Sequence, residues 1–120
     1  MSQVTERPWG NYQILAEGPG YQVKRLVVKA GKRLSLQFHH KRSEDWIVAA
    51  GKAEVTIGDK TQQAVKGDSF HVPVESPHRI ANPASEGDLV IIEVQLGDYL
   101  GEDDIVRLQD DFGREDPQSR

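Results

Sequence analysis

An antiparallel all-β fold, closed as a sandwich or a barrel, is what this chain predicts, on three observations. Short runs rich in Val, Ile and Phe recur along it, each closed by Gly, Pro, Asp or Asn. The connections are too short for crossover helices, so neighbouring strands must run antiparallel. Within runs such as "RLSLQFHH" apolar and polar residues alternate, as they do on a strand with one face turned inward.

Taken in order, "YQVKRLVVKAG", "RLSLQFHH", "DWIVAAG", "KAEVTIGD", "TQQAVKGD", "SFHVP", "HRIANP" and "DLVIIEVQLG" read as strands. Gly58, Asp59 and Lys60 make a hairpin turn, because Gly and Asp tolerate positive φ. "LVIIEV" is apolar on both faces and reads as a central strand covered on both sides. Beyond it, "GEDDIVRLQDDFGR" leads with acids and follows with arginines. Ile105, Leu108 and Phe112 fall roughly one helical turn apart, which predicts a short C-terminal helix or a packed arm. The tail "EDPQSR" looks loose. The 120 residues fit one domain, 1–120, with a core over about 12–97 and an arm over about 98–114.

Composition narrows the function. There is no cysteine, which excludes disulfides and thiolate metal sites. No apolar run approaches the roughly 18 residues of a membrane helix, and the first residues lack the apolar stretch of a secretory signal. A soluble cytoplasmic protein without a membrane partner is the expectation. The net charge of −4, with both signs interspersed, argues against nucleic-acid binding. Local basic groups (Lys24 with Arg25, Lys41 with Arg42, and Arg79) suit a small anion.

The stretch "LSLQFHHKRSEDW" carries the chemistry. On a strand, Leu34, Leu36 and Phe38 share one face, and Ser35, Gln37 and His39 the other. A polar stripe pointing into a small barrel is costly unless its groups are paired or bound to something. A metal ion satisfies them: an imidazole nitrogen and an amide oxygen two residues apart converge on one ion, and Glu44 supplies a carboxylate. His78, heading another strand after a proline turn, closes the set of Gln37, His39, Glu44 and His78. Zinc is the first choice for such nitrogen and oxygen donors, with manganese, cobalt, nickel or iron as alternatives. His40 and His71 fall out of phase with their inward neighbours and read as surface residues. Trp9 reads as a packing anchor and Trp46 as core. The apolar face of Leu34, Leu36 and Phe38 needs cover, which predicts a homodimer.

These spacings resemble the two motifs of the cupin superfamily. Gly31, Gln37, His39, Glu44 and Gly51 fall at the places of the first, with Gln37 where most cupins carry histidine. Gly67, Pro73, His78 and Asn82 fit the second, with Glu75 replacing the usual glycine. The fold implied is an antiparallel double-stranded β-helix, or jelly-roll barrel. "RPWGNY", "YQVKRL", "AGKRLSLQFHH", "HRIANP" and "YLGEDDIVR" are similar to the type II mannose-6-phosphate isomerase domain, over about residues 7–114.

That resemblance implies a metal-dependent interconversion of mannose 6-phosphate and fructose 6-phosphate. The family's usual guanylyltransferase portion is absent from these residues, so no nucleotide-sugar synthesis is expected. Lys41 stands where the family has the third of three histidines, and Asp45 replaces another. The proton shuttle falls to Asp45, Glu93 or water held by the ion. Arg42 joins Asp45 and Glu93 as a catalytic candidate. Lys24, Arg25, Lys41 and Arg79 are the candidates for substrate phosphate, unless these cations pair with the acids of "GEDDI" and pin the C-terminal arm over the barrel mouth. Two other readings use the same scaffold: a metal-dependent oxygenase or decarboxylase, and a non-catalytic sugar-phosphate-binding module that assists a separate guanylyltransferase.

Overall fold

Extended chain sorts alternate side chains onto opposite faces, and two sheets can then share the inward ones. The computed structural model describes residues 3–114, and the tail "EDPQSR" lies outside them. Among the described residues the strands are β1 Val4–Arg7, β2 Gly10–Gly18, β3 Tyr21–Val28, β4 Leu36–Phe38, β5 Arg42–Ala50 and β6 Lys52–Ile57. They continue as β7 Lys60–Val65, β8 Ser69–Val72, β9 His78–Ala81, β10 Leu89–Gly97 and β11 Val106–Gln109. One sheet has six strands in the order β1-β2-β3-β10-β5-β8, and the other five in the order β11-β4-β9-β6-β7. Every pairing is antiparallel.

The eight predicted stretches became β3 to β10. Sequence reasoning missed β1 and β2, whose polar residues and exposed edge hide the strand pattern. The C-terminal helix does not form. Residues 106–109 instead pair with β4, Val106 opposite Phe38 and Arg107 opposite Gln37, and the segment is the packed arm of the other alternative. Pairing there satisfies backbone groups of β4 that an isolated helix would leave open. Among the described residues no helix is long and apolar enough to cross a membrane.

Turn chemistry holds the connections. Gly58 takes φ 63 in the two-residue link that sets Ile57 opposite Lys60. At the link from β5 to β6, Gly51 has φ 83, and a Cβ there would sit 2.7 Å from the Asp88 carbonyl oxygen. Glu75, in place of the family's glycine, is the one described non-glycine residue with positive φ, at 63.

The core draws on both sheets: Trp9, Leu26, Val28, Trp46, Val48, Val55, Val72, Ile80, Leu89 and Ile91 are all buried. β10 is the central strand that "LVIIEV" predicted. Leu89, Ile91, Glu93 and Gln95 point inward, while Val90, Ile92 and Val94 lie half-buried on the outer face. In register across β3, β10 and β5, the inner face passes from Val28 and Leu89, to Leu26, Ile91 and Val48, to Lys24, Glu93 and Trp46, and finally to Gln22, Gln95 and Glu44. One end is hydrocarbon and the other is polar, although both are buried.

Candidate metal centre and cation-lined cavity

The polar end opens into a cavity of about 160 Å³, roughly ten times what one water needs. Its floor is assembled from both sheets. β5 supplies Glu44. The five-stranded sheet supplies Gln37 and His78, which are direct partners across β4 and β9, and His39 follows just after β4. The ligand atoms of His39, Glu44 and His78 all lie within 4.8 Å of one another. His39 Nε2 is 3.3 Å from one Glu44 oxygen, and His78 Nε2 is 3.7 Å from the other.

The surroundings prepare these atoms for a cation. His39 Nδ1 is 2.5 Å from the Asp104 carbonyl oxygen, and His78 Nδ1 is 2.9 Å from that of Ser76. A carbonyl only accepts, so each Nδ1 carries the proton and each Nε2 presents a lone pair. Burial holds the His78 imidazole below its ordinary pKa, in the neutral form that a metal needs. Gln37 donates through Nε2 to Ser35 Oγ at 2.8 Å, which leaves its amide oxygen as the atom it can offer a cation. Two imidazoles, a carboxylate and an amide oxygen make a donor set that fits a divalent transition metal.

Burial would raise the Glu44 carboxyl, but its close polar neighbours, the His39 and His78 imidazoles and the Arg42 guanidinium, hold it well below its ordinary value. Trp46 Nε1 donates to one of its oxygens at 2.9 Å and Arg42 Nε to the other at 2.9 Å. Arg42 also donates to His39 Nε2 at 3.1 Å. Beside them Glu93 is the opposite case. Burial comes first, and the charge and hydrogen bond of Glu44 add to it, lifting the Glu93 carboxyl to about 8. Two adjacent buried carboxyls therefore divide the roles: one is ionised and one protonated.

The remaining sequence candidates separate into two groups. Lys24 and Arg79 line the cavity with Arg42 and Glu93. Lys24 is buried and pairs with Glu102 of the arm at 2.6 Å. Arg79 donates to the carbonyl oxygens of Leu34 and Gln109, at 2.9 and 3.2 Å. These cations do pin the arm over the mouth, and Asp104 helps by accepting from the backbone N–H groups of His40 and Lys41. Asp45, Arg25 and Lys41 do not line the cavity. Alternation along β5 turns Asp45 outward, where His71 meets it at 3.0 Å. Arg25 alternates with Lys24 and donates to Gln13 at 2.5 Å on the outside of the sheet. Lys41 is exposed, 5.1 Å from the Tyr99 ring.

His40 and His71 are exposed, while Trp9 and Trp46 are in the core. Leu34 departs from the expected outward stripe. It packs on the core and lines the cavity, because regular alternation starts only at Leu36. Sequence reasoning missed Arg7, Arg107 and Arg114, which also line the cavity. Both stretches carry a signal: "RPWG" marks the resemblance and "GEDDIVRLQDDFGR" reads as a helix or arm in which arginines follow acids, but neither reading places an arginine in the cavity.

Comparison with known proteins agrees with this fold. The profile of the family described as mannose-6-phosphate isomerase C-terminal matches residues 1–110. The alginate biosynthesis protein AlgA of Pseudomonas aeruginosa is 54% identical over 108 residues, covering 90% of this chain and 22% of that protein. The mannose-1-phosphate guanylyltransferase 2 of Escherichia coli O157:H7 is 46% identical over 110 residues, covering 92% of this chain and 23% of that protein. The chain thus spans about a fifth of the length of these curated relatives. Among solved structures, an RmlC-like cupin from Shewanella frigidimarina has a TM-score of 0.73 at 19% identity, with 85% and 87% of the two chains covered. The oxalate decarboxylase of Bacillus subtilis has a TM-score of 0.78 at 20% identity, over 89% of this chain and 30% of that one. At such identities these two neighbours speak for the fold alone. The profile match over nearly the whole chain makes this barrel, cupin-like in fold, a member of the mannose-6-phosphate isomerase C-terminal family.

Proposed function

We propose that the chain is a metal-dependent sugar-phosphate isomerase acting between mannose 6-phosphate and fructose 6-phosphate. One observation carries the reading: His39, Glu44 and His78 present their ligand atoms within 4.8 Å of one another on the floor of a cavity rich in basic residues. Gln37 completes the set. When bound, a divalent ion, zinc first, supplies Lewis-acid polarisation of the sugar carbonyl.

The chain's own residues do the rest. The carbonyls of Asp104 and Ser76 fix both imidazole tautomers. Trp46 orients the Glu44 carboxylate. Of the two carboxyl candidates for moving a proton between adjacent sugar carbons, Glu93 is favoured. It lines the cavity, and its carboxyl at about 8 both releases and takes up a proton near neutral pH. Asp45, paired with His71 on the outer face, is too far from the cavity side of the sheet for this work. The departures from the family pattern at Lys41 and Asp45 both fall outside the cavity lining, which supports retained activity. A cytoplasmic homodimer, with a second copy covering Leu36 and Phe38, belongs to the same reading. A single-chain mass in light scattering contradicts that dimer.

Metal analysis with a coupled assay of mannose 6-phosphate conversion tests the proposal. It expects one divalent ion per chain and turnover, both lost in His39→Ala. Full metal content without turnover on hexose phosphates overturns it in favour of a binding module. Oxygen consumption with iron loaded favours the oxygenase reading.

A further inference from the structure

Three residues, His39, His40 and Lys41, connect β4 to β5. This link carries the chain from Gln37 on one sheet to Glu44 on the other. Asp104 of the C-terminal arm binds all three. Its carbonyl oxygen accepts from His39 Nδ1 at 2.5 Å, and its two carboxylate oxygens accept from the backbone N–H groups of His40 and Lys41 at 2.9 and 3.0 Å. Asp104 is 8% exposed. Burying a carboxylate is costly unless its oxygens are bonded, and here each oxygen takes one N–H of the link.

The arm reaches other ligands too. Glu102 pairs with Lys24 at 2.6 Å and comes within 3.9 Å of Arg42 Nη1, and Arg42 donates to Glu44 and to His39 Nε2. β11 pairs with β4, which sets Arg107 opposite Gln37. His78 is oriented from outside the arm, by the Ser76 carbonyl in the turn before β9. The support of three proposed ligands, Gln37, His39 and Glu44, therefore depends on where the arm lies.

We propose that Asp104 is a positioning residue of the metal centre, and that metal binding and docking of the arm are one coupled equilibrium. The ion binds the arm-docked chain more tightly, and by linkage the bound ion holds the arm down by the same factor. This rests on the metal-centre reading and not on the identity of the sugar. With the arm lifted, His39 loses the acceptor for its Nδ1–H, which selects the tautomer that leaves Nε2 open to an ion. The link between the sheets is then free to change the spacing of His39 and Glu44. Because Glu102 and Ile105 of the arm also line the cavity, loss of the ion and opening of the cavity go together.

The test uses the full chain, with Asp104→Ala, Asp104→Asn and a core control, Ile91→Val. Zinc affinity is read by competition with a chromophoric chelator, and hydrogen exchange of residues 102–109 is followed with and without zinc. Wild type should exchange more slowly over those residues once zinc is bound. Asp104→Ala should bind zinc about 10- to 100-fold more weakly, and zinc should no longer slow exchange in its arm. Asp104→Asn, whose amide oxygen still accepts one of the two N–H groups, should recover part of the affinity. The visible absorption of Co(II) in the site should shift in both Asp104 variants, because His39 is no longer held, and stay as in wild type for Ile91→Val, which loosens the hydrocarbon core. Wild-type exchange that zinc leaves unchanged overturns the inference. So does undiminished zinc affinity in Asp104→Ala, or a loss in Ile91→Val as large as that in Asp104→Ala. Wild type that binds no zinc removes the metal-centre reading and this inference together. Coupling as expected without turnover on mannose 6-phosphate leaves this inference standing and removes only the isomerase reading.

Discussion

The two ends of the inner sheet face are made by the same three strands, yet they follow opposite rules. At one end Val28, Leu89, Leu26, Ile91 and Val48 fill the space with hydrocarbon. Two residues further along each strand the chain buries Lys24 and Glu93, and beyond them Gln22, Gln95 and Glu44. Burying a polar side chain costs on the order of 1–3 kcal/mol unless it is partnered, so the polar end does not hold the fold together. Its groups are mostly satisfied by one another: Gln95 donates to Glu93 at 2.7 Å, Glu93 bonds Glu44, and Glu44 accepts from Arg42 and Trp46. The comparison teaches that the hydrocarbon end supplies stability, and that the polar end gives stability up, as the proposed metal site requires.

Breaking the hydrocarbon end gives the largest effect. Ile91→Ala leaves a cavity and lowers unfolding free energy by about 2–5 kcal/mol in urea, while the folded fraction binds metal as wild type does. If metal binding fell in step with stability, the two ends would not be separable.

The next effect is pH dependence at the polar end. The folded Glu93 carboxyl is raised to about 8 from an ordinary 4.5, so the folded metal-free chain binds an extra proton between those values. This contribution to stability is fully present below about 4.5 and is lost as pH rises through 8. Glu93→Gln removes that decline. Urea unfolding of the metal-free chain from pH 5 to 9 should therefore show wild type falling relative to the variant. Parallel curves would mean that Glu93 is not protonated in the fold.

A smaller effect concerns the strap. Burial opposes ionisation of Asp104, but backbone N–H groups of His40 and Lys41 hold its carboxyl below the ordinary value. The sign is opposite to that of Glu93: this stability is present above the ordinary carboxylate pKa and lost as pH falls through the lowered one. Asp104→Asn should cost about 1 kcal/mol and speed hydrogen exchange of the arm first. The smallest effect is at Glu75, whose φ of 63 is unfavourable for a side chain. Glu75→Gly should raise stability by under about 1 kcal/mol, after the extra entropy of glycine in the unfolded chain is subtracted.

Much of this was legible before any coordinates. Alternation gave β3 to β10, and motif spacing gathered Gln37, His39, Glu44 and His78, because both signals are local. Residues such as Arg107 were not legible: its position beside Gln37 depends on pairing between segments some 70 positions apart. The helix expectation over Ile105, Leu108 and Phe112 failed for the same reason, since long-range pairing with β4 overrode a weak local period. Asp45 is the instructive case. Once Glu44 faces inward, strand parity alone turns its neighbour out, and a purely local argument would have removed it from the cavity.

The central claim is that the polar end of the inner face holds one divalent cation. Anomalous diffraction from crystals grown with zinc, recorded on both sides of the zinc absorption edge, tests it most directly. The account predicts a single strong peak in contact with Nε2 of His39, Nε2 of His78 and a carboxylate oxygen of Glu44, with the Gln37 amide oxygen turned toward it. A peak elsewhere, or these side chains bonded only to one another at saturating zinc, would contradict it.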